Sequence, residues 1–216
     1  MLICTLMAIL KVVEYGDPVL RAPTKEVVKV SKKIQRLVDD MFDTMYAQNG
    51  CGLAAPQVGE SKRIFVLDCA TETHPMQPMV FINPVIVKKS GVFLSHEGCL
   101  SFPGVYIDVK RYAHVTIRAK DIKGRPFSLT PEPGTLLAMA IQHEFDHLEG
   151  ILFVDHVIDR FGTDEILKAH HLPTIEPEMI LDEPELDEGL LAMLSEAESG
   201  QAAPAKKSKA SREKSA

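Results

Sequence analysis

Leu136-Leu137-Ala138-Met139-Ala140-Ile141-Gln142-His143-Glu144-Phe145-Asp146-His147 reads as a helix built for the inside of a protein. The run Leu136 to Ile141 has no polar face, the signature of a helix surrounded by other elements. Yet the same helix goes on to carry His143, Glu144, Asp146 and His147. Buried charge must be paired or ligated. Side chains four apart on a helix share one face, with Cβ atoms about 5–6 Å apart. Both imidazoles can therefore reach one divalent cation, with Glu144 beside it as a candidate general base. The competing reading, a charged helix end with two solvated histidines, leaves the apolar run before it unexplained.

Working outward from this helix, Tyr15-Gly16-Asp17-Pro18 is turn chemistry. An amphipathic helix follows, with Ile34, Leu37, Val38, Met41, Phe42 and Met45 as its apolar stripe, Ser31 as candidate N-cap and Asn49-Gly50 as the stop. Ile64 to Leu67 and Met79 to Val87 are short apolar runs bounded by Pro and Gly, and read as strands. Ala113 to Lys120 alternates Val115, Ile117 and Ala119 against His114, Thr116, Arg118 and Lys120, as a half-buried strand does. Strands cluster instead of alternating with helices. The expected fold is therefore α+β: largely antiparallel sheets packed around a central buried helix, with an amphipathic helix towards the N-terminus.

The chain has 216 residues, 45% of them hydrophobic, enough for one good core. Its net charge of -6 is unevenly placed, since residues 1–175 carry 19 Lys and Arg against 20 Asp and Glu. A nearly neutral body argues against a DNA-binding surface. The catalytic unit is expected over 1–172. From 173 to 216 an acidic stretch (Glu176 to Glu198) precedes a basic end (Lys206, Lys207, Lys209, Arg212, Lys214), and this composition predicts a disordered tail. None of the four cysteines forms a Cys-x-x-Cys pair, which removes zinc ribbons and thioredoxin-like motifs and favours a reducing compartment. The apolar start Leu2 to Leu10 lacks a basic n-region and is too short to span a membrane. Met7 is an equally ordinary beginning, so residues 1–6 read as an upstream start assignment.

A catalytic divalent site commonly takes three protein ligands. Downstream of the two histidines, the spacing follows a zinc-protease pattern as far as Gly150 but places Phe153 where that pattern needs a third His. Another protease class uses a later Glu, for which Glu165 is the candidate, although Thr163-Asp164 suggests a helix start there. Upstream, Cys99 lies in Glu97-Gly98-Cys99-Leu100-Ser101, where Gly98 lets the backbone approach closely. Cys99 is the better third ligand; its bland alternative is a small buried hydrophobe. Gly50-Cys51-Gly52-Leu53-Ala54-Ala55-Pro56-Gln57 superficially matches a dinucleotide fingerprint but follows a helix, not a strand. It is either a tight turn or a segment that gives Gln57 an amide donor for an oxyanion.

Together, Gly50 to Gln57, Glu97 to Ser101 and Gln142 to Leu148 resemble the three fingerprints of the peptide deformylases, with Tyr15 to Arg21 adding to the likeness. The resemblance spans roughly residues 8–165. It implies a metal-dependent hydrolase that removes the formyl group from the N-terminal formyl-methionine of newly synthesised chains, releasing formate. Cys99, His143 and His147 would hold the metal, which in the family tends to be Fe(II), with Zn, Ni or Co able to substitute. Glu144 would act as general base and acid. The Gln57 side chain and the Leu100 backbone N–H would hold the oxyanion. By family position, Cys51, Glu97, Leu136 and Met139 build or border the methionine pocket, and Gly52 pairs with the peptide backbone. Arg111 reads either as a surface charge or as a residue that orients Glu97 or the site wall, and Asp146 either as a carboxylate behind the ligands or as a solvated helix charge. Cys51 stands in a slot that is commonly aliphatic in the family, where a thiol either packs as a hydrophobe or makes the site sensitive to oxidation. The resemblance further implies a cytoplasmic monomer acting on nascent peptides, with a ribosomal contact through the basic C-terminal end and no membrane partner. The reading set against it is a zinc endopeptidase that uses Glu165.

Overall fold

Strand pairing follows chain order. The computed structural model describes residues 8–69 and 76–181. In it five strands form one antiparallel sheet in the order β1 (Gly52–Ala54), β2 (Ile64–Leu67), β3 (Met79–Cys99), β4 (Phe102–Lys120) and β5 (Pro126–Leu129). Helix α1 (Lys32–Ala47) precedes the sheet, and α2 (Leu136–Glu149) and α3 (Arg160–Ala169) follow it. The expected α+β class is the one observed.

Helix α1 begins where Ser31 accepts a hydrogen bond from the Ile34 N–H, satisfying one of the free donors of the first turn. It ends before Asn49, which turns the chain at φ 55°. Ile34, Val38, Met41 and Met45 pack on Leu53, Ile64, Val66 and Ile82. Helix α2 is capped by Thr135, whose side chain accepts from the Ala138 N–H, and stops at Gly150 in the left-handed conformation. A Cβ on Gly150 would lie 2.5 Å from the Arg21 carbonyl oxygen, so both backbone sign and space require glycine there. Ala140, Ile141 and Leu148 of α2 pack against Phe65, Phe81 and Ile117 of the sheet. A third cluster gathers Leu20, Phe102, Val105, Phe153, Leu167 and Ile175. From Ala138 onward the apolar positions Ala138, Ala140, Ile141 and Leu148 of α2 are thus covered, while Leu136 at its start is exposed.

Three boundaries differ from the expected ones. The strands read as Met79 to Val87 and Ala113 to Lys120 are the inner ends of β3 and β4, whose hairpin continues to Cys99 and Phe102. Lys88, Lys89, Ser90 and Gly91 are exposed, so this stretch shows no in-out alternation and its polarity imitates a turn. Helix α3 starts at Arg160, with Asp159 capping the Gly162 N–H, ahead of the start suggested by Thr163-Asp164. Residues 173–181, assigned by composition to the tail, pack on the body: Ile175 is buried and its N–H donates to Asp164, and the Leu181 N–H donates to the Asp155 carbonyl. Residues 1–6 and the chain from 182 onward, to which the start-site and tail readings apply, lie outside the described residues. Among those described, no helix is long and apolar enough to cross a membrane.

Candidate metal centre

Two pieces of chain meet the His-bearing face of α2. The first is the tip of the β3–β4 hairpin. Its register runs Glu97 opposite Ile107 and Gly98 opposite Tyr106, then shifts so that Cys99 faces Phe102 across a tight turn containing Leu100 and Ser101. Such a shift bends the strand and re-aims a side chain. A Cβ on Gly98 would sit 2.5 Å from the Tyr106 ring, so any other residue there displaces that exposed ring. The second piece is β1 and the 3-10 turn Ala55–Val58 that follows it. The N-terminal segment ties the two together: the Val13 N–H donates to the Gln57 carbonyl and the Tyr15 N–H to the Ser101 carbonyl.

Cys99, His143 and His147 offer one ligand atom each, and these atoms lie within 4.8 Å of one another. The Cys99 Sγ is 3.4 Å from His147 Nε2. The His143 Nδ1–H donates to the Glu97 carboxylate at 2.8 Å, which leaves its Nε2 for the cluster. Glu97 is gripped by Arg111, with Nε and one Nη at 2.8 and 2.9 Å from its two oxygens. The remaining Nη of Arg111 reaches Asp146, which also meets His156 Nε2 at 2.9 Å. Asp146 therefore touches neither cluster histidine. It acts one step further out, through Arg111 and Glu97.

Burial opposes charge on Glu97, but the Arg111 guanidinium and His143 outweigh it and hold its carboxyl well below the usual range. The same contest, won by Arg111 and His156, lowers Asp146. Burial pushes His147 well down, helped by His143, so its imidazole is a neutral donor. Burial, then the Glu144 charge, push the Cys99 thiol up, and burial and neighbouring negative groups raise Glu144 well above the carboxylate range. Glu144 Oε2 and His147 Nδ1 are buried with no hydrogen-bond partner among the described residues. A divalent cation fits this set: neutral imidazoles need no further neutralisation, and the cation stabilises the thiolate that burial alone opposes.

Gln57 completes the geometry. Its Oε1 accepts from the Ala54 N–H at 2.8 Å, which turns Nε2 towards Cys99 Sγ at 3.3 Å and Ser101 Oγ at 3.4 Å. A cavity of about 560 Å³ opens onto these groups, lined among others by Cys51, Gly52, Glu97, Leu100, Met139 and Glu144. Gly52 presses on the base: a Cβ there would fall 2.4 Å from Glu144 Oε1. Leu136 does not line the cavity, and at the start of α2 it is 40% exposed. Glu165, the ligand that the endopeptidase reading needs, lies on α3 with its side chain 76% exposed and paired to Lys168. Among the described residues the Cys99, His143, His147 group has no rival.

Sequence reasoning left Arg111 undecided between a surface role and orienting Glu97; it is 2% exposed. The signal that would have placed it is periodicity, since Val105, Ile107, Val109 and Arg111 alternate as one buried face of β4. Ser101 and His156 were not singled out, and nothing in their local sequence marks them.

A family model described as polypeptide deformylase matches residues 9–161. The chain is 47% identical over 151 residues to a peptide deformylase of Prochlorococcus marinus, covering 69% of this chain and 74% of that one. It is 49% identical over 152 residues to a peptide deformylase of Cellvibrio japonicus, covering 70% and 88%. A crystal structure of a peptide deformylase from Synechococcus elongatus in complex with actinonin superposes with a TM-score of 0.71 at 40% identity, over 80% of this chain and 90% of that one.

Proposed function

This chain belongs to the polypeptide deformylase family, and on that premise we propose how its own residues carry the family's reaction. The enzyme is a hydrolase that removes the N-formyl group from nascent peptides, turning a formyl-methionyl peptide and water into formate and a free methionyl amine. The observation that carries the residue assignment is convergence: a buried unpartnered carboxylate and an amide N–H₂ aimed at Cys99 stand with the Cys99, His143, His147 group, and Gln57, Cys99, His143 and Glu144 line one cavity.

The family is metal-dependent, and we assign Cys99, His143 and His147 as the ligands, with Fe(II) as the physiological ion. A thiolate with two imidazoles is compatible with Fe, Zn, Ni or Co, and ligand type alone does not choose among them. When bound, such an ion supplies Lewis acidity, which polarises the formyl oxygen and makes water a better proton donor. Glu144 takes a proton from the attacking water and delivers it to the leaving amine nitrogen. Burial and neighbouring negative groups raise its affinity for protons, which favours taking up the proton of the water. Gln57 Nε2 and the Leu100 N–H donate to the oxygen that becomes negative as water adds. Glu97, held by Arg111, fixes the His143 ring.

For the substrate, β1 is the edge of the sheet, so an extended peptide adds beside it and pairs at Gly52. Cys51, Glu97, Leu136 and Met139 are assigned to the methionine pocket; cavity lining supports the first two and Met139 more than Leu136. The enzyme is further proposed to act as a cytoplasmic monomer, where formylated chains are made, with the basic end Lys206 to Lys214 touching the ribosome. Unchanged ribosome affinity on deleting 201–216 counts against that contact. The central test is to purify the protein anaerobically, measure bound metal, and assay formate release from a formyl-Met peptide beside cleavage of an internal peptide bond. Formate without internal cleavage is expected; the reverse overturns the assignment.

A further inference from the structure

We propose that Cys51, at the wall of the catalytic cleft, and Cys69 on the adjacent segment are a redox-responsive thiol pair, which a low-molecular-weight disulfide closes into a bridge that arrests turnover. The inference rests on the roles assigned above to Gly52 and Glu144. Neither sulfur belongs to the Cys99, His143, His147 group.

The placement comes from the sheet. Gly52 of β1 pairs with Leu67 of β2, and the next rung is the Asp68 N–H donating to the Cys51 carbonyl at 2.9 Å. Cys51 and Cys69 therefore sit where two adjacent antiparallel segments leave the ladder, one residue out of step. Both are free and half-buried, and both pack against the same apolar cluster. The two thiols also act on each other: Cys69 lowers Cys51 against the opposing effect of burial, while Cys51 and burial raise Cys69. Cys51 also lines the cleft, so a small solute that enters the cleft reaches its sulfur first.

The chemistry balances in two exchanges. The Cys51 thiolate attacks one sulfur of the small disulfide, breaking its S–S bond and releasing one small thiolate, which takes up the proton that Cys51 lost. The Cys69 sulfur, giving up its own proton, then attacks the Cys51 sulfur of the mixed disulfide and releases the second small thiol. The two protein thiols lose two electrons and two protons; the small disulfide gains them. The consequence for catalysis follows from the next residue. Gly52 has no slack against Glu144, as a Cβ there would lie 2.4 Å from the carboxylate. Drawing Cys51 towards Cys69 moves the backbone that the base rests on.

The test uses nickel-loaded enzyme, so that the ion itself is not oxidised, treated with oxidised glutathione and followed by peptide mass mapping and formate release. A Cys51–Cys69 cross-link is expected, with activity falling roughly 10- to 100-fold, as about 1 Å of misplacement near the chemistry does, and returning with dithiothreitol. Cys69→Ser should keep the parent's basal rate and stop at a glutathione adduct on Cys51. Cys51→Ser, whatever its basal rate, should lose none of it to the oxidant. A persistent adduct on Cys51 of the parent, a bridge to Cys99, or a Cys51–Cys69 bridge with unchanged formate release each overturns the proposal. Reduced enzyme that releases no formate would instead overturn the functional assignment, while the mass map still reports on the bridge.

Discussion

Glu97 Oε2 lies 2.8 Å from His143 Nδ1, and both oxygens of that carboxylate are held by Arg111. The direction in which His143 faces is therefore set by a residue on a different strand, 14 positions away from Glu97 in sequence. A ring whose Nδ1 is engaged presents Nε2 as its lone pair, and a fixed tautomer is what a metal-ligating histidine requires.

Replacing Arg111 by Met tests this chain of contacts. The substitution keeps volume but leaves Glu97 and Asp146 buried without their cation. Breaking one side of a buried pair typically costs about 3–5 kcal/mol, and loss of a ligand-orienting contact about 10–100-fold in metal affinity. Thermal unfolding and a metal titration should show both losses. A lower melting temperature with unchanged metal affinity would mean that Arg111 only stabilises the fold.

The same pairs set an acid limit. Glu97 and Asp146 have folded-state pKa values below their unfolded ones, so the unfolded chain binds more protons as pH falls. Their stabilisation is complete above the ordinary carboxylate range of about 4 and is lost as pH drops through the lowered values. Acid unfolding followed by circular dichroism should begin near that range and steepen below it. Glu97→Gln should flatten the lower part of the curve; an identical profile would exclude Glu97 as its source.

How much of this arrangement the sequence discloses depends on distance along the chain. The helix with two histidines four apart is a local pattern, and Leu136 to Ile141 announce its burial without any partner being known. Ser31, Asn49-Gly50 and the Cys99 segment are also local, since caps, left-handed turns and glycine-flanked bends use neighbouring atoms. Arg111 is different: its charge is explained only by Glu97 and Asp146, one on the paired strand and one on α2. Val87 to Gly91 of β3 carry no alternation because that stretch is exposed, whereas the outer half of β4 does alternate but its buried face runs from Val105 to a charged residue, Arg111. Residues 173–181 look like tail because acidic residues dominate their composition, yet one isoleucine, Ile175, anchors them.

Gly52→Ala isolates the contact between β1 and the base. Alanine adds one carbon where 2.4 Å separates its position from Glu144 Oε1, and the glycine is not in the left-handed region, so strain arises from the clash alone. The carboxylate must shift. Turnover of a formyl-Met peptide should fall about 100-fold while secondary structure and bound metal persist. Full activity would mean that Glu144 has room to move aside without cost to the reaction.

Glu144→Gln separates catalysis from stability. Loss of the proton shuttle should lower formate release by about 10²–10⁴-fold with metal content unchanged. In metal-free protein the effect on stability has the opposite sign. The Glu144 pKa is raised on folding, so its ionisation destabilises the folded form as pH rises above the unfolded value of about 4.3. The glutamine variant carries no such penalty and should melt higher than the parent at pH 7 after chelation. A lower melting point would show that the buried carboxylate has a partner that glutamine cannot satisfy.

Gln57 offers the sharpest distinction between holding a shape and stabilising a charge, because its two amide ends do separate work. Oε1 caps the turn by accepting from the Ala54 N–H, and Nε2 points at Cys99 and Ser101. Glu at this position keeps the acceptor for Ala54 but replaces the donor with a negative group beside the thiol. Leu removes both functions. If Gln57 stabilises the developing oxyanion, Gln57→Glu should retain most of the fold's stability yet lose about 10²–10³-fold in kcat, the usual effect of deleting one such donor. Gln57→Leu should lose comparable activity and, in addition, about 1–3 kcal/mol of stability from the unsatisfied Ala54 N–H. Steady-state kinetics with a formyl-Met peptide and chemical denaturation read the two effects independently. Equal stability of the two variants would remove the turn-capping role, and a Glu variant with parental kcat would remove the oxyanion role.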